Sequence, residues 1–517
     1  MAPPEGGVDA RTERQRLAPL QSPCVFVAAS GSLSIVLAPG EVGFLERRAA
    51  DSALLINGDV CNSAGGVAPF AKSTTATTAT ITGSAAGGET MVLDFLNGPF
   101  LRGTAATPGL VLDLAGGGTD EVQLRLTGAR DVVRAGVNGW DVTGDGTRDV
   151  TLANVSHVTV TLGDGDDVFS ALGGGTLGAP VALDVTGYGG PGDDSLTGGS
   201  GDDTLFGDTG ADVLSGGTSA SDADTLSGGA GTDTVSYATR SAGVTVTVGA
   251  GSNDGEAGEQ DDVQADVETV IGGAGADTFT GTSGAQTFSG GAGDDTFRMG
   301  LLASTGAGAD TVFGEAGVDT VDYGARLEAV TVTMDFNVAN DGNTASGEGD
   351  NVRADVERLI CPTAAVSCTV TGNALNNVLV TGGGVDTLDG AAGDDVFVVT
   401  SGGADRLVGG AGIDRVDFST YGATIDVRMD DVPSTTEGKR IAADVEDLVC
   451  PTASACTVLG NALNNHLEGS SQLDHLSSAG GDDLVETNGG VDVVDCGDGS
   501  DILFGSGAAP VGTTCEL

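Results

Sequence analysis

From Ser32 to Gly187 short runs of Val, Ile, Leu and Thr alternate with Gly, Asn and Asp: LSIVLAPG, ALLING, TATTATITG, MVLDFLNG, GLVLDLAGG, VQLRLTG, DVTLANVSHVTVTLGDG. No apolar period of 3.6 residues is sustained, so the pattern predicts strands and turns at close spacing rather than helices. The Thr74 to Thr82 stretch reads either as low complexity or as one exposed strand face. After Gly187 the period becomes nine. Copies of GGxGxDxUx, with U a large apolar residue, open at Gly189 (GGPGDDSLT), Gly198 (GGSGDDTLF), Gly207 (GDTGADVLS), Gly228 (GGAGTDTVS), Gly272 (GGAGADTFT), Gly290 (GGAGDDTFR), Gly314 (GEAGVDTVD), Gly390 (GAAGDDVFV) and Gly409 (GGAGIDRVD), with weaker copies through Asp483, Asp492 and Asp501.

Each GGxG offers backbone free to take positive φ and to aim carbonyl oxygens inward, and each D adds a carboxylate. These are hard oxygen ligands of the kind calcium takes. The xUx part is a short strand that buries one apolar side chain. Turns stacked at the strand spacing of about 4.8 Å would set residues 18 apart above one another, as are Asp194 and Asp212, Asp277 and Asp295, and Asp483 and Asp501. Stacked carboxylates without a counter-cation would repel. The candidate ligand positions are therefore Gly189, Gly190, Gly192 and Asp194; Gly198, Gly199, Gly201 and Asp203; Gly207, Gly210 and Asp212; Gly228, Gly231 and Asp233. Further along they are Gly272, Gly275 and Asp277; Gly290, Gly293 and Asp295; Gly314, Gly317 and Asp319; Gly390, Gly393 and Asp395; Gly409, Gly412 and Asp414. Asp310, Asp386, Asp405, Asp483, Asp492 and Asp501 complete the set. From Gly187 to Gly505 the chain resembles the RTX, or hemolysin-type, calcium-binding repeat proteins. The resemblance implies a parallel β-roll in which two nonapeptides make one turn and Ca2+ lies between the loops of successive turns.

The expected organisation is all-β. Residues 1–22 read as a disordered leader or a mis-set start, and 23–186 as a β-rich N-terminal region, solenoid-like or a sandwich. Residues 187–505 form the calcium-binding β-roll, with long units starting near 228, 314 and 409, and 506–517 form a tail tied by a cysteine. The long units run from DTVSY, DTVDY or DRVDF at Asp233, Asp319 and Asp414, through GVTVTV, AVTVTM or ATIDVR and an acidic loop, to ADVE at Ala265, Ala354 and Ala443. In that loop EQDDV at Glu259 and EGDNV at Glu348 align with EGKRI at Glu437, so Lys439 and Arg440 stand where the first copy has Asp261 and Asp262. The first two loops either hold an extra ion or are solvated acidic loops; the third supplies its own positive charge. After DVETVI the first copy continues as GGAGADTFTG and after DVERLI the second continues as CPTAAVSCTVTG, a cysteine loop in place of a calcium half-turn. Cys361 with Cys368, Cys450 with Cys456, Cys24 with Cys61 and Cys496 with Cys515 are the expected disulfides, and they imply an oxidising compartment.

Charge sharpens the functional reading. The 21 Lys and Arg against 74 Asp and Glu leave a net charge of −53. Such a chain repels phosphate backbones and anionic lipid, and calls for a counter-cation. The 88 glycines argue against a core of large side chains. No apolar run is long enough for a spanning helix, and the first 20 residues show no stretch of signal-peptide type. His157, His466 and His475 lack ligand-like neighbours, and no GxSxG, SxxK, Walker A or helix-opening GxGxxG is present. DVTGDGTRDV, from Asp141 to Val150, reads either as a calcium loop or as a polar turn. The expectation is a secreted or cell-surface calcium-binding β-solenoid with a structural or adhesive role. Its folding is coupled to calcium, and its further partners are cell-surface or matrix polymers rather than nucleic acid or membrane interior. A secreted hydrolase with its catalytic part within Ser22 to Gly187, and an ice- or carbohydrate-binding Thr face, are the other readings. The oligomeric state stays open.

Overall fold

The computed structural model describes residues 25–27, 32–38, 41–47, 54–56, 59–60, 78–83, 88–96, 109–115, 119–299, 308–335, 339–343, 348–400, 402–505, 509–510 and 515–516. The leader, Cys24 and Cys61 lie outside them. The described residues form strands and turns, with a single three-residue helical turn at Gly175–Leu177. The chain divides into two compact units, Met1–Thr239 with Val248–Thr269, and Arg240–Thr247 with Val270–Leu517.

In the first unit two ladders of parallel strands run side by side along the sequence. One takes Ser32–Val36, Thr78–Thr82, Leu110–Asp113 and Val150–Ala153, and later Val132–Gly136, Val168–Ser170, Ser195–Thr197, Val213–Ser215 and Thr234–Ser236. The other takes Val42–Arg47, Thr90–Asp94, Glu121–Arg125, His157–Thr161, Asp184–Pro191, Thr204–Gly210 and Thr225–Gly231. The parallel stacking thus continues upstream of Gly187. A tight reversal at Gly136–Gly139 adds an antiparallel strand and buries Trp140, 2% exposed.

The register follows from the xUx pattern, because a period-two strand buries its middle residue and exposes its flanks. Val133, Phe169, Leu196, Leu214 and Val235 stack as one buried column, and Leu205, Leu226 and Val263 as another. The second unit repeats the plan. Phe279, Phe297, Val321, Leu359, Leu379, Phe397, Val416, Leu448, Leu467, Val485 and Leu503 form one continuous column, every member buried. The facing columns are Phe288, Val312 and Val352, then Val332, Val370, Leu388, Leu407 and Ile441, then Val427, Val458, Leu476 and Val494. Each strand contributes about one large side chain, roughly 1.5–3 kcal/mol of burial. With so thin a core, the edges where the chain turns must carry much of the specification.

Candidate metal centre

Each repeat aspartate stands immediately before a strand, so parallel stacking sets the aspartates in columns along the edge of each unit. One carboxylate oxygen, Oδ1, accepts the backbone N–H of the residue one turn earlier. In the first unit Asp167 N–H donates to Asp194 at 2.7 Å, Asp194 to Asp212 at 2.7 Å and Asp212 to Asp233 at 2.9 Å. In the second unit Asp277 donates to Asp295 at 2.7 Å and Asp295 to Asp319 at 2.9 Å. Further along, Asn377 donates to Asp395 at 2.7 Å, Asp395 to Asp414 at 3.0 Å, Asn465 to Asp483 at 2.8 Å and Asp483 to Asp501 at 3.1 Å. The ADVE segments end these runs: Oε2 of Glu268, Glu357 and Glu446 accepts from Asp233, Asp319 and Asp414 at 2.8, 2.9 and 2.9 Å.

The second oxygen separates most of the loops into two conformations; Asp224 and Asp492 fit neither and also leave Oδ2 buried without a partner. Numbering the hexapeptide GGxGxD from one to six, position two has positive φ in the ten loops ending at Asp167, Asp194, Asp212, Asp233, Asp295, Asp319, Asp395, Asp414, Asp483 and Asp501. In all ten, Oδ2 is buried and has no hydrogen-bond partner. We call these loops open. Position two is glycine in six of them, and Asp208, Glu315, Ala391 and Ala479 hold the same left-handed conformation at φ 73, 68, 72 and 76°. A non-glycine residue persists there only where surrounding structure imposes it. In the other conformation, which we call closed, position two has ordinary φ and its N–H is spent on the position-six side chain. Gly199 donates to Asp203 at 2.6 Å, Gly273 to Asp277 at 2.7 Å, Gly382 to Asp386 at 2.7 Å and Ser470 to Asp474 at 2.6 Å. The identical GNALNN segments close as well: Asn373 and Asn461 donate to Oδ1 of Asn377 and Asn465, each at 2.9 Å. Their own side-chain amides donate to Val356 and Val445 carbonyls at 2.9 and 2.7 Å. Gly198, Gly199, Gly201 and Gly272, Gly275, all in full consensus, thus lie in closed loops.

The open loops fit a hard cation. In the seven that begin with glycine, the unpartnered oxygen lies over that first residue. A Cβ added to Gly189 would stand 2.3 Å from Asp194 Oδ2 and 2.8 Å from the Gly207 carbonyl; one on Gly390 would stand 2.1 Å from Asp395 Oδ2 and 2.8 Å from the Gly409 carbonyl. At these glycines carboxylate and carbonyl oxygens of successive turns converge. The closed loops crowd Gly198 and Gly272 in the same way, so what sets the open loops apart from them is the carboxylate oxygen left without a donor. A buried acceptor without a donor is costly unless a cation or proton meets it. Burial, reinforced by the carboxylates of neighbouring turns, pushes Asp194, Asp319 and Asp395 up to about 7, and Asp212 and Asp295 up to about 6. In the metal-free chain the fold holds these protons while the unfolded chain, titrating near 4, releases them. That contribution is full below about pH 4 and is lost as pH rises through about 6 to 7. Circular dichroism in chelator should accordingly show more β-structure at about pH 5 than at about pH 8, and a flat profile would refute this.

The fold and these loops define a parallel β-solenoid whose edges carry oxygen-rich, carboxylate-bearing turns. Residues 188–220, 219–237, 265–298, 303–325, 371–402, 399–417, 459–494 and 478–509 match the model of the RTX calcium-binding nonapeptide repeat, and the chain carries such repeats from 188 to 509. No curated protein matches the chain. Asp167 lies upstream of the matched residues, yet Leu162 to Asp167 (LGDGDD) has the open conformation, with φ 113° at Gly163 and 128° at Gly165. The signal was there in GDGDD before VFS. The roles of Glu268, Glu357 and Glu446 were not readable from ADVE, because only strand register brings them to the column.

The acidic loops of the long units are filled differently. In the first, buried oxygens of Asp222, Glu259 and Asp261 lie within 4.8 Å of one another, and Tyr237 OH donates to Asp261 at 3.0 Å. In the second, Arg326 pairs with Glu348 and lies 4.0 Å from Asp350, which also accepts from Tyr323 OH at 3.0 Å. The second loop is therefore neither an ion site nor a solvated loop, since its carboxylates are buried against a guanidinium. In the third, Lys439 Nζ meets Asp405 at 2.7 Å with both side chains 1% exposed. Arg440 takes no part in that pair; its guanidinium points to the Asp431 carbonyl at 3.5 Å on the exposed side. Asp310 and Asp350 are linked in the same way as Asp224 and Asp261, Oδ1 of the later residue accepting the earlier N–H at 3.0 Å.

Disulfides join Cys361 to Cys368, Cys450 to Cys456 and Cys496 to Cys515, with Cα separations of 5.9, 6.0 and 5.4 Å; the pairing expected for Cys24 and Cys61 lies outside the described residues. Cys368 is in register with Val330, and Cys456 with Ile425. In the first copy Val244 donates to Asp277 at that same place, so sulfur replaces carboxylate. In the Asp141–Val150 loop the carboxylates are used by the turn itself: Asp141 accepts from Gly144 and Gly146 at 2.8 Å, and Asp149 from Thr143 Oγ1 at 2.8 Å. That geometry is a polar turn. A cavity of about 270 Å³ between Phe95, Leu126 and Val142 exposes Arg130 and Asp131, but Asp131 is spent on Thr127 N and Oγ1, each at 2.8 Å, and Arg130 on the Asp166 carbonyl. Its described polar groups form no nucleophile and base pair.

Proposed function

We propose that the chain is an extracellular calcium-binding scaffold with a structural or adhesive role, whose folding is coupled to calcium. The observation that carries this is the set of ten open loops, each with one buried, unpartnered carboxylate oxygen, which at Gly189, Gly207, Gly290, Gly314 and Gly390 converges with a carbonyl of the next turn. Oxygen-only donors at flexible geometry suit calcium over zinc or other soft-ligand metals. The open-loop residues from Gly189 to Asp501 would hold the ions, and the ions would neutralise columns of like charge that otherwise repel. Three disulfides and the −53 charge favour a place outside the cell, where calcium reaches the millimolar range that suits weak sites. No helix among the described residues is long and apolar enough to cross a membrane. Calorimetric titration of the dialysed full-length chain with calcium chloride tests the binding, with about ten ions expected from one per open loop. Fractionating expressing cells tests the location. Absence of calcium uptake, or protein retained in the cytoplasm with free thiols, would overturn the corresponding part.

A further inference from the structure

We propose that in the second unit calcium binds along one edge only, and that the opposite edge, from Gln286 to Asp474, is built to hold without it. The calcium edge is the column that enters the strands Thr296–Arg298, Thr320–Asp322, Val396–Val398, Arg415–Asp417, Leu484–Thr487 and Asp501–Gly505. Its six open loops all leave an oxygen unpartnered. The inference rests on the reading of open loops as calcium sites.

On the opposite edge the turns at Gln286, Glu348, Cys361–Cys368, Asp386, Asp405, Cys450–Cys456 and Asp474 each have an internal group where the open loops of the calcium edge have an unpartnered oxygen. On the calcium edge the loops ending at Asp277, Asn377 and Asn465 are closed. Gln286 is neutral and closes on Thr282, its Oε1 accepting the backbone N–H at 2.9 Å and its Nε2 donating to Oγ1 at 2.7 Å. At the next acidic turn the Arg326 guanidinium satisfies Glu348. The Cys361–Cys368 disulfide then replaces a hexapeptide outright. Asp386 closes on Gly382, and the Asp405 carboxylate takes the Lys439 ammonium. A second disulfide, Cys450–Cys456, follows, and Asp474 spends Oδ2 on both Ser470 N at 2.6 Å and Ser470 Oγ at 2.9 Å. The run stops there: Asp492, one turn further, again has a buried Oδ2 without a partner. Amide, guanidinium, disulfide, backbone N–H, ammonium and hydroxyl are different chemistries, and they share one effect. Each satisfies its turn with a group that chelators cannot remove.

The chain would then have a permanent seam and a calcium-dependent seam on the same unit, so calcium loss would open one side of the solenoid while the other stayed closed. Bound calcium per chain, measured by atomic emission on full-length protein after equilibrium dialysis, separates the edges. Asp295→Asn and Asp395→Asn should each remove about one ion per chain, whereas Asp386→Asn and Asp474→Asn should leave the stoichiometry unchanged. Loss of an ion in either of the last two overturns the proposal. Should a variant fail to fold, hydrogen exchange of the wild-type chain in chelator gives the second reading. Segments at Cys361 to Cys368 and Cys450 to Cys456 should keep their protection while those at Gly290 to Asp295 and Gly314 to Asp319 lose it, and equal loss would also overturn it. A wild-type chain that takes up no calcium would remove the function on which this rests, a result distinct from calcium on both edges.

Discussion

Removing calcium from the full-length chain is expected to unfold the column of open loops in the first unit and the calcium edge of the second, so that β-structure falls and the chain expands, reversibly on calcium return, while the seam from Gln286 to Asp474 stays paired. The first unit shows why the effect should be large. Its four open loops stack Asp167, Asp194, Asp212 and Asp233 in one hydrogen-bonded column, with an unpartnered buried oxygen on each. Without an ion that column must either take up protons, which neutral pH opposes, or bear mutual repulsion in a poorly solvated edge. A site occupied at ten times its dissociation constant contributes about 1.4 kcal/mol, so four sites supply roughly 6 kcal/mol. Whole domains are stable by only about 5–15 kcal/mol. The single apolar residue per strand cannot replace that amount against chain entropy of about 1–2 kcal/mol per residue. Far-ultraviolet circular dichroism and the hydrodynamic radius with and without chelator decide the matter. A spectrum equally β-rich in both conditions would show that the fold does not need the ion.

The nine-residue phase was legible because the physics that fixes it is local. A tight turn needs glycine, a buried strand centre needs one apolar residue, and both recur at constant spacing from Gly189 to Asp501. The division into open and closed loops was not legible, since GGSGDD at Gly198 and GGAGAD at Gly272 close while GGAGDD at Gly290 opens. What differs is the turn beneath. Gly190, Gly291 and Gly410, all open, lie against the carbonyls of Gly163, Gly273 and Ala391, each within another hexapeptide loop. The closed Gly199, Gly275 and Gly382 lie against Val181, Ala242 and Pro362, which belong to turns of other kinds. Among these six, a loop stacked on another hexapeptide loop is open and one stacked on another kind of turn is closed. The Thr487–Asp492 loop, stacked on the closed Asp474 loop, departs from this and keeps ordinary φ at Asn488. In a solenoid, conformation is set by nearest neighbours along the stack; those neighbours are about 18 or more residues away, beyond the reach of any local pattern. For the same reason the alignment of Lys439 and Arg440 with Asp261 and Asp262 placed both cations in one loop but could not say which of them faces inward.

That distinction sets the size of the last effect. Replacing Lys439 with Met should destabilise the second unit by about 3–5 kcal/mol, because the change keeps the bulk of the side chain and removes only its charge. Asp405 would then be left 1% exposed with no cation, in a column where Asp386 N–H already takes its other oxygen at 3.0 Å. Two comparisons isolate the cause. Arg440→Met removes a cation from the neighbouring position, where the guanidinium is exposed, and should change stability by no more than about 0.5 kcal/mol. Adding Asp405→Asn to Lys439→Met removes the stranded charge and should recover most of the loss, a coupling that independent sites would not show. Urea denaturation of the calcium-loaded protein, followed at equilibrium, measures all three. Equal effects of Lys439→Met and Arg440→Met would mean that the ion pair is not what holds the turn. Absence of recovery in the double variant would mean that the lysine acts through its packing over the Tyr421 ring, 5.4 Å from the ammonium, rather than through its charge.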